Sequence, residues 1–394
     1  LNPILEEAVK RFHVEDYRIT PISAHDGGRN EVYVLESAGG DKRILRLSAL
    51  SDRTEEDFLG ETEFVHFLAE NGAPVEDVIP SVNGEFVEKI VASNSVRNTF
   101  EANIDGYTLK ADMDGNSFEA DSDGNDLKTV FASLFTFAPG IMISENGYRY
   151  REGAPLSEYF YNTGKTLGAI HALSKKYVPR HRRAEYFDKY NREYIGTLFQ
   201  EALAAQVPID TEAMKAQNPT LKEMLEAQDP TLPEKLKEAV FSRLPAFEKL
   251  PKDADSYGLI HFDFVDVNYH IDMSDGKITV YDFDNSMNCW YLFDLATVWL
   301  NGTGWYGHLP RKEREKRMKE YFAKVLQGYR IETEVSEEAL EKLPLFIDMV
   351  LIENIVDAFE CCRRDGEEID YEEIEDAAES LIQGLPWAGY FEED

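Results

Sequence analysis

Cysteine is scarce: the 394 residues hold three, and Cys361 and Cys362 are adjacent. That number and spacing build neither a disulfide framework nor a paired-cysteine zinc site, so the adjacent pair reads as ordinary helix residues. Cations are short as well. Only 41 Lys and Arg stand against 75 Asp and Glu, a formal net charge of -34. A phosphate backbone needs clustered cations, so a nucleic-acid partner is not expected, whereas a cationic small molecule would be attracted. No apolar run approaches the length of a membrane span, and no membrane association is expected. The opening stretch LNPILEEAVKRFHVEDY reads as an acid-bearing amphipathic helix, not as a signal peptide. The expected location is the cytoplasm. What the chain does have is apolar material, 43% hydrophobic and 12% aromatic residues, enough for two lobes with a sizeable core.

From Tyr17 to Leu47, alternating apolar residues broken by glycine pairs predict three antiparallel strands. TEEDFLGETEFVHFLAENGAPV follows, with Phe58, Phe64, Phe67 and Leu68 near helical spacing and Asn71-Gly72 as a stop. It predicts a helix crossing the sheet. Asp-Gly pairs then recur at 105–106, 114–115 and 123–124, each a turn signal between short segments. They predict acidic hairpins inserted at about 94–127. DMDGN within them resembles the start of a calcium loop but lacks the glutamate at its twelfth position and the flanking helices. TVFASLFTFAPG, residues 129–140, ends in Pro139-Gly140, where the expected hinge lies. Beyond it the pattern is helical: SEYFYNTGKTLGAIHALSKKY, a charged region to about 250, then helices around 312–328, 336–363 and 370–383. One β interruption is expected near 268–284, and the small repeat in 216–236 reads as two short helices. The expected class is α+β with two lobes: a β-rich N-lobe over residues 1–137 and a mostly helical C-lobe over 138–394.

Chemistry concentrates in HFDFVDVN, which holds His261, Asp263 and Asn268 in the frame H-x-D-x-x-x-x-N, and in YDFD, which holds Asp282 and Asp284. Phosphoryl transfer asks little covalent chemistry of a protein. It needs a group to accept the proton of the attacking hydroxyl, one or two magnesium ions across the phosphates, and a cation on the non-transferred phosphates. Asp263 suits the first role. The five-residue step to Asn268 lets one loop present a carboxylate to substrate and a carboxamide oxygen to metal. Asp282, at the end of KITVYD, offers a hard oxygen ligand from the other arm of a hairpin that turns at MSDGK.

With these motifs in order, the chain resembles the aminoglycoside phosphotransferase and choline kinase family, small-molecule relatives of the protein kinases. GGRNEVY, carrying Gly27, Gly28, Arg29 and Asn30, resembles the hairpin that covers phosphates. RILRLS resembles the strand with the phosphate-pairing cation, here Arg46, and Glu61 the helical acid that holds it. LFTFAPG resembles the adenine-binding hinge, with backbone groups of Phe135 to Phe137 meeting the purine. TGKTLGAIHAL resembles the first helix of the second lobe, and YLFDLATVW the helix start carrying Asp294. The resemblance implies a protein-kinase-like fold with ATP or GTP in the cleft. It further implies Asp263 as base, Asn268 and Asp282 as Mg2+ ligands, and His261 and Asp294 as supports of the catalytic loop. Arg46 stands where protein kinases carry Lys, a planar fork in place of a point charge, and the acidic insertion is not required by the family core. Asp282 is followed at once by FDNSMNCWYLFDLA, which leaves no room for a peptide-docking activation segment. The expected acceptor is a hydroxyl of a small molecule, an aminoglycoside or amino alcohol, with the variable stretch 181–250 and the C-terminal helices shaping its pocket.

Several residues keep two readings. Asp284 either reaches a second metal or caps local amides, and Gly27 and Gly28 either cover phosphates or only make a turn. Asp294 reads as a brace of the catalytic loop before it reads as an ordinary acid at a helix N-cap. Trp290, Tyr291, Trp299, Trp305 and Tyr306 read as core or pocket wall, with an aromatic cage for a cation as the alternative. His25, His171 and His270 have no metal-ligand spacing. Glu353 and Asp357 read as a solvated helix face, with the acceptor pocket as the alternative. For the whole chain, the competing reading is a catalytically silent nucleotide-binding module whose hairpins recruit a partner, and a calcium-binding scaffold is a third.

Overall fold

The computed structural model describes residues 2–22, 30–49, 53–93, 100–104, 107–111, 119–120, 126–204, 232–365, 374, 377–378 and 380–382. The chain divides into two compact units. One comprises residues 1–66, 76–137 and 179–182, the other residues 67–75, 138–178 and 183–394.

The first unit opens with α1 (Pro3–Arg11), whose N-cap Asn2 accepts the Ile4 N–H through its side chain. Strands β1 (Arg18–Pro21), β2 (Asn30–Glu36) and β3 (Lys42–Ala49) follow as antiparallel neighbours. Helix α2 (Glu55–Glu70) stops at Asn71-Gly72, where Gly72 takes φ +86°. Then come β4 (Val78–Ile79), β5 (Glu88–Ser93), β6 (Phe100–Ile104), β7 (Tyr107–Ala111), β8 (Glu119–Ala120) and β9 (Asp126–Thr136). Among the described residues the main sheet runs β1-β2-β3-β9-β4, with β5 and β8 also on β9. The expected insertion is β structure: β6 and β7 pair with Ile104 opposite Tyr107, and β8 pairs with the start of β9. The Asp-Gly turns themselves, and DMDGN, lie outside the described residues.

Strand alternation decides which side chains reach the site. Leu45 and Leu47 of β3, with Val130, Ala132 and Leu134 of β9, pack on Ile4, Leu5, Ala8 and Val9 of α1. Arg46 falls between those leucines and so points to the opposite face, where Phe131 stacks on Phe58 of α2 at 5.0 Å.

The second unit holds α3 (Leu156–Ser174), α4 (Tyr186–Lys189), α5 (Arg192–Ala204) and α6 (Leu232–Phe247). Strands β10 (Tyr257–Ile260), β11 (Tyr269–Ile271), β12 (Ile278–Val280) and β13 (Met287–Trp290) follow. Helices α7 (Tyr291–Tyr306), α8 (Arg311–Glu332), α9 (Glu337–Leu340) and α10 (Leu343–Asp365) complete it. A β-carbon on Gly164 of α3 would lie 1.8 Å from the Val325 carbonyl of α8, so only glycine lets these two helices meet. Gly140 takes φ +99°, and a β-carbon there would lie 2.2 Å from the Ile271 carbonyl; this fixes the turn after β9.

Two expectations need correcting. The β structure is wider than 268–284, because β10 and β13 form a second antiparallel pair, Tyr257 opposite Trp290. Strands of four residues carry too few alternations to be read from the sequence. Asp294 does not cap a helix: α7 begins at Tyr291 with Trp290 as its N-cap, which places Asp294 in the first turn with its carboxylate serving other parts of the chain. The repeat in 216–236 lies largely outside the described residues.

Candidate active site

In the first unit, Arg46 donates from Nη2 to Glu61 Oε2 at 2.7 Å, and the two side chains are 7% and 1% exposed. The guanidinium also lies over the Phe135 ring, 5.0 Å from its centroid. Phe135 is buried, and the Thr136 N–H is engaged by the Asp77 carbonyl at 2.8 Å. Phe137 is partly exposed, with the Lys42 ammonium 5.3 Å from its ring centroid. Asn30 heads β2 opposite Ser48, and its Oδ1 accepts from the Ser48 hydroxyl at 2.7 Å. Gly27, Gly28 and Arg29 lie outside the described residues. Removing one partner of so deeply buried a pair leaves a charge without compensation. Glu61→Ala should therefore cost about 3–5 kcal/mol of stability, read as a lower urea midpoint, with part recovered in the Glu61→Ala, Arg46→Met double variant.

In the second unit, β11 and β12 pair with Tyr269 opposite Val280, and the Tyr281 N–H donates to the Asn268 carbonyl at 3.0 Å. This hairpin sets the segment carrying Asp282 beside the loop that ends at Asn268. Within the loop, the Asn268 amide nitrogen donates to both the backbone carbonyl and Oδ2 of Asp263, each at 2.9 Å. With Nδ2 so engaged, Oδ1 is the Asn268 atom left to meet a cation. Phe262 at φ +73° and Asp282 at φ +62° both hold left-handed backbone, a strained conformation for residues other than glycine that clusters at functional sites. Burial pushes the Asp263 carboxyl above the usual aspartate range. The charges of Asp284 and Asp357 add to the rise, while His261 and the Asn268 hydrogen bond oppose it.

The loop is held from behind. Asp294, fully buried, accepts the His261 N–H at 3.1 Å and the Phe262 N–H at 2.9 Å on its two carboxylate oxygens. His171 Nε2 lies 3.1 Å from the same carboxylate, and its Nδ1 is 2.9 Å from the Tyr329 hydroxyl. Burial lowers the His171 pKa while the Asp294 carboxylate opposes the drop; in the neutral ring Nε2 donates to the carboxylate and Nδ1 accepts from Tyr329. His261 faces the Tyr281 carbonyl at 3.1 Å through Nε2, which as the partner of a carbonyl must carry the proton. His171 is thus a bracing residue that spacing along the chain did not reveal; its partners stand more than 100 positions away. His270 serves structure, with Nδ1 2.7 Å from the Ala138 carbonyl.

Glu353 is half-buried on α10, not fully solvated. Its carboxyl is pushed up to about 8, first by burial, then by Asp357 and Asp263, with Glu360 adding and Lys189 opposing. Asp357, one turn on, is exposed. Trp290, Tyr291 and Trp299 are buried, as a core reading requires. Among the described residues, no three His, Cys, Asp or Glu side chains gather as a metal site; a set of one carboxamide and one or two carboxylates falls below that count. No helix among them is long and apolar enough to cross a membrane.

A bilobal kinase-like architecture with this loop defines a phosphotransferase, and the sequence profile of the phosphotransferase enzyme family matches residues 19–331. The chain belongs to that family and is a small-molecule kinase. It is 24% identical over 321 residues to amicoumacin kinase of Bacillus subtilis (strain 168), which spans 80% of this chain and 74% of that one. Among solved structures it resembles the amicoumacin kinase hAmiN in complex with AMP-PNP, Ca2+ and Ami, with TM-score 0.67, 18% identity, and 99% and 95% of the two chains covered. It also resembles a microcompartment-associated aminopropanol kinase, with TM-score 0.61, 16% identity, and 97% and 94% covered.

Proposed function

We propose that the protein moves the γ-phosphoryl group of ATP, or of GTP, to a hydroxyl of a small cationic acceptor, an amino alcohol or aminoglycoside. The observation that carries this reading is the Asp263–Asn268 pair, in which one amide nitrogen fixes the carboxylate and turns the remaining oxygens to other work. Asp263 accepts the hydroxyl proton as the acceptor oxygen bonds to the γ-phosphorus, and the bond from that phosphorus to the β,γ-bridging oxygen breaks, releasing the nucleoside diphosphate. Asn268 Oδ1 and the Asp282 carboxylate, both hard oxygen donors, suit Mg2+, and Asp284 is the candidate for a second ion. When bound, the ion would neutralise charge on the phosphates. Arg46, held by Glu61, pairs the non-transferred phosphates, Gly27, Gly28, Arg29 and Asn30 cover them, and backbone groups between Phe135 and Phe137 meet the purine. The first unit thus serves the nucleotide, and the second carries the catalytic loop, the metal ligands and the acceptor pocket.

We assign the preference for a cationic acceptor to Glu353 and Asp357: an ammonium beside them would favour the ionised form of the Glu353 carboxyl, which burial and neighbouring negative charge otherwise hold protonated. The likeness to an aminopropanol kinase supports an amino alcohol. Coupled ADP release with Mg-ATP over choline, ethanolamine, aminopropanol, homoserine, methylthioribose, aminoglycosides and amicoumacin is the test. Turnover on a cationic member supports the reading; firm Mg-ATP binding with no turnover on any favours the silent module.

Glu353→Gln should raise the acceptor KM several-fold and leave kcat nearly unchanged. It should also change the pH dependence of stability. Between the ordinary value of 4.5 and about 8, folded Glu353 keeps a proton that the unfolded chain has given up, so its contribution makes stability fall as pH rises through that window. Burial is the first cause of the shift, and Asp357, Asp263, Glu360 and Lys189 are the charges that modify it. Thermal unfolding across this range should show a flatter profile in Glu353→Gln; an unchanged slope would count against the placement.

A further inference from the structure

Residues 179–182 belong to the first unit and Arg183 to the second. Within the first, the Arg180 and His181 N–H groups donate to Glu63 at 3.1 and 3.3 Å, and the Arg182 N–H donates to Glu56 at 3.0 Å. From Arg183 the chain runs beside β13. The Asn288 N–H donates to the Ala184 carbonyl at 2.8 Å, and the Asn288 amide nitrogen to the Arg183 carbonyl at 3.1 Å. The backbone at Arg183 and Ala184 is therefore fixed against β13, and the Arg183 side chain is delivered to one place within the second unit.

That place is the segment carrying Asp282 and Asp284. The Arg183 side chain is buried at 5% exposure. Its Nε donates to the Ser286 carbonyl and its Nη2 to the Asp284 carbonyl, both at 2.8 Å, and Nη2 also reaches the Ser286 carbonyl. The planar fork matches two carbonyls two positions apart in the chain in a way an ammonium cannot. On the other side of the segment, His261 holds the Tyr281 carbonyl. Between these clamps lie the left-handed Asp282 and the short 3-10 turn Phe283–Asn285. Left-handed backbone at a residue other than glycine persists only where surrounding contacts over-determine it.

We propose that Arg183 is a positioning residue for the metal-binding segment: by pinning the carbonyls of Asp284 and Ser286 it holds the Asp282 and Asp284 carboxylates where a divalent cation meets them. The inference rests on the reading of Asp282 as a metal ligand.

The test uses the full chain saturated with AMP-PNP and titrates Mn2+ by electron paramagnetic resonance, which reports the dissociation constant and the number of sites separately. Arg183→Met should raise the Mn2+ dissociation constant about 10- to 100-fold, the usual cost of losing a residue that orients metal ligands. Arg183→Lys should fall between it and the parent. AMP-PNP affinity without metal should not change. Asp282→Asn is the comparator. If Asp282→Asn weakens Mn2+ binding and Arg183→Met lowers only the number of folded sites, leaving their dissociation constant unchanged, Arg183 is structural and the inference is overturned. If Asp282→Asn itself leaves Mn2+ binding intact, the ligand reading fails and the inference fails with it.

Discussion

Asp263→Asn should lower kcat by about a hundred- to ten-thousand-fold, the range that removal of a general base costs, with nucleotide KM nearly unchanged and the fold intact. The fold is expected to survive because the asparagine Oδ1 still accepts the hydrogen bond that Asn268 Nδ2 now gives to Asp263 Oδ2 at 2.9 Å. Stability should hold or rise. Burial and the charges of Asp284 and Asp357 disfavour the ionised carboxylate at this position, so a neutral isostere removes a strained charge. A variant that is stable, binds nucleotide and does not turn over separates chemistry from folding. Thermal unfolding, nucleotide titration and steady-state kinetics on one preparation measure all three.

Asp294→Ala should be the most damaging change away from the reacting groups. Three donors converge on this carboxylate: the His261 and Phe262 N–H groups and the His171 ring. All three are buried. Each backbone donor left without an acceptor costs about 1–3 kcal/mol, so a loss of about 3–5 kcal/mol is expected, enough to threaten folding. Phe262 would lose the contact that helps hold its left-handed backbone, and Asp263 follows it directly. The surviving folded fraction should therefore show a lower kcat as well as a lower urea midpoint. Tyr329→Phe is the graded control: it deletes one hydrogen bond at the far end of the same chain, should cost about 1 kcal/mol, and should leave kcat close to the parent value. Equal effects of the two substitutions would argue against the bracing chain.

The kinase-like fold and the hairpin that brings Asp282 beside Asn268 were legible because their signals are local. His261, Asp263 and Asn268 sit within eight residues, and the turn MSDGK tells which later aspartate comes back to meet them; the pairing of Tyr269 with Val280 follows. The Arg46–Glu61 pair was legible through the resemblance alone, and the alternation of β3 then accounts for the face on which Arg46 lies. Arg183, His171 and Glu353 were not legible. Arg183 reaches carbonyls more than 100 residues away, and His171 its two partners at 123 and 158 residues. Such contacts exist only once helices pack. Glu353 resembled any acid on a charged helix; only the packing of α10 shows that it is half-buried with other carboxylates near enough to raise its pKa. The phosphate-covering glycines and the Asp-Gly turns lie outside the described residues, and for them the expectation stands as the sequence left it.

The most direct measurement is phosphorus NMR of Mg-ATP with the acceptor found by ADP release, run to a single turnover with parent and Asp263→Asn at equal enzyme occupancy. One new phosphate-ester resonance and ADP are expected in the parent, and bound, unreacted ATP in the variant. Transfer by Asp263→Asn at the parental rate would contradict it.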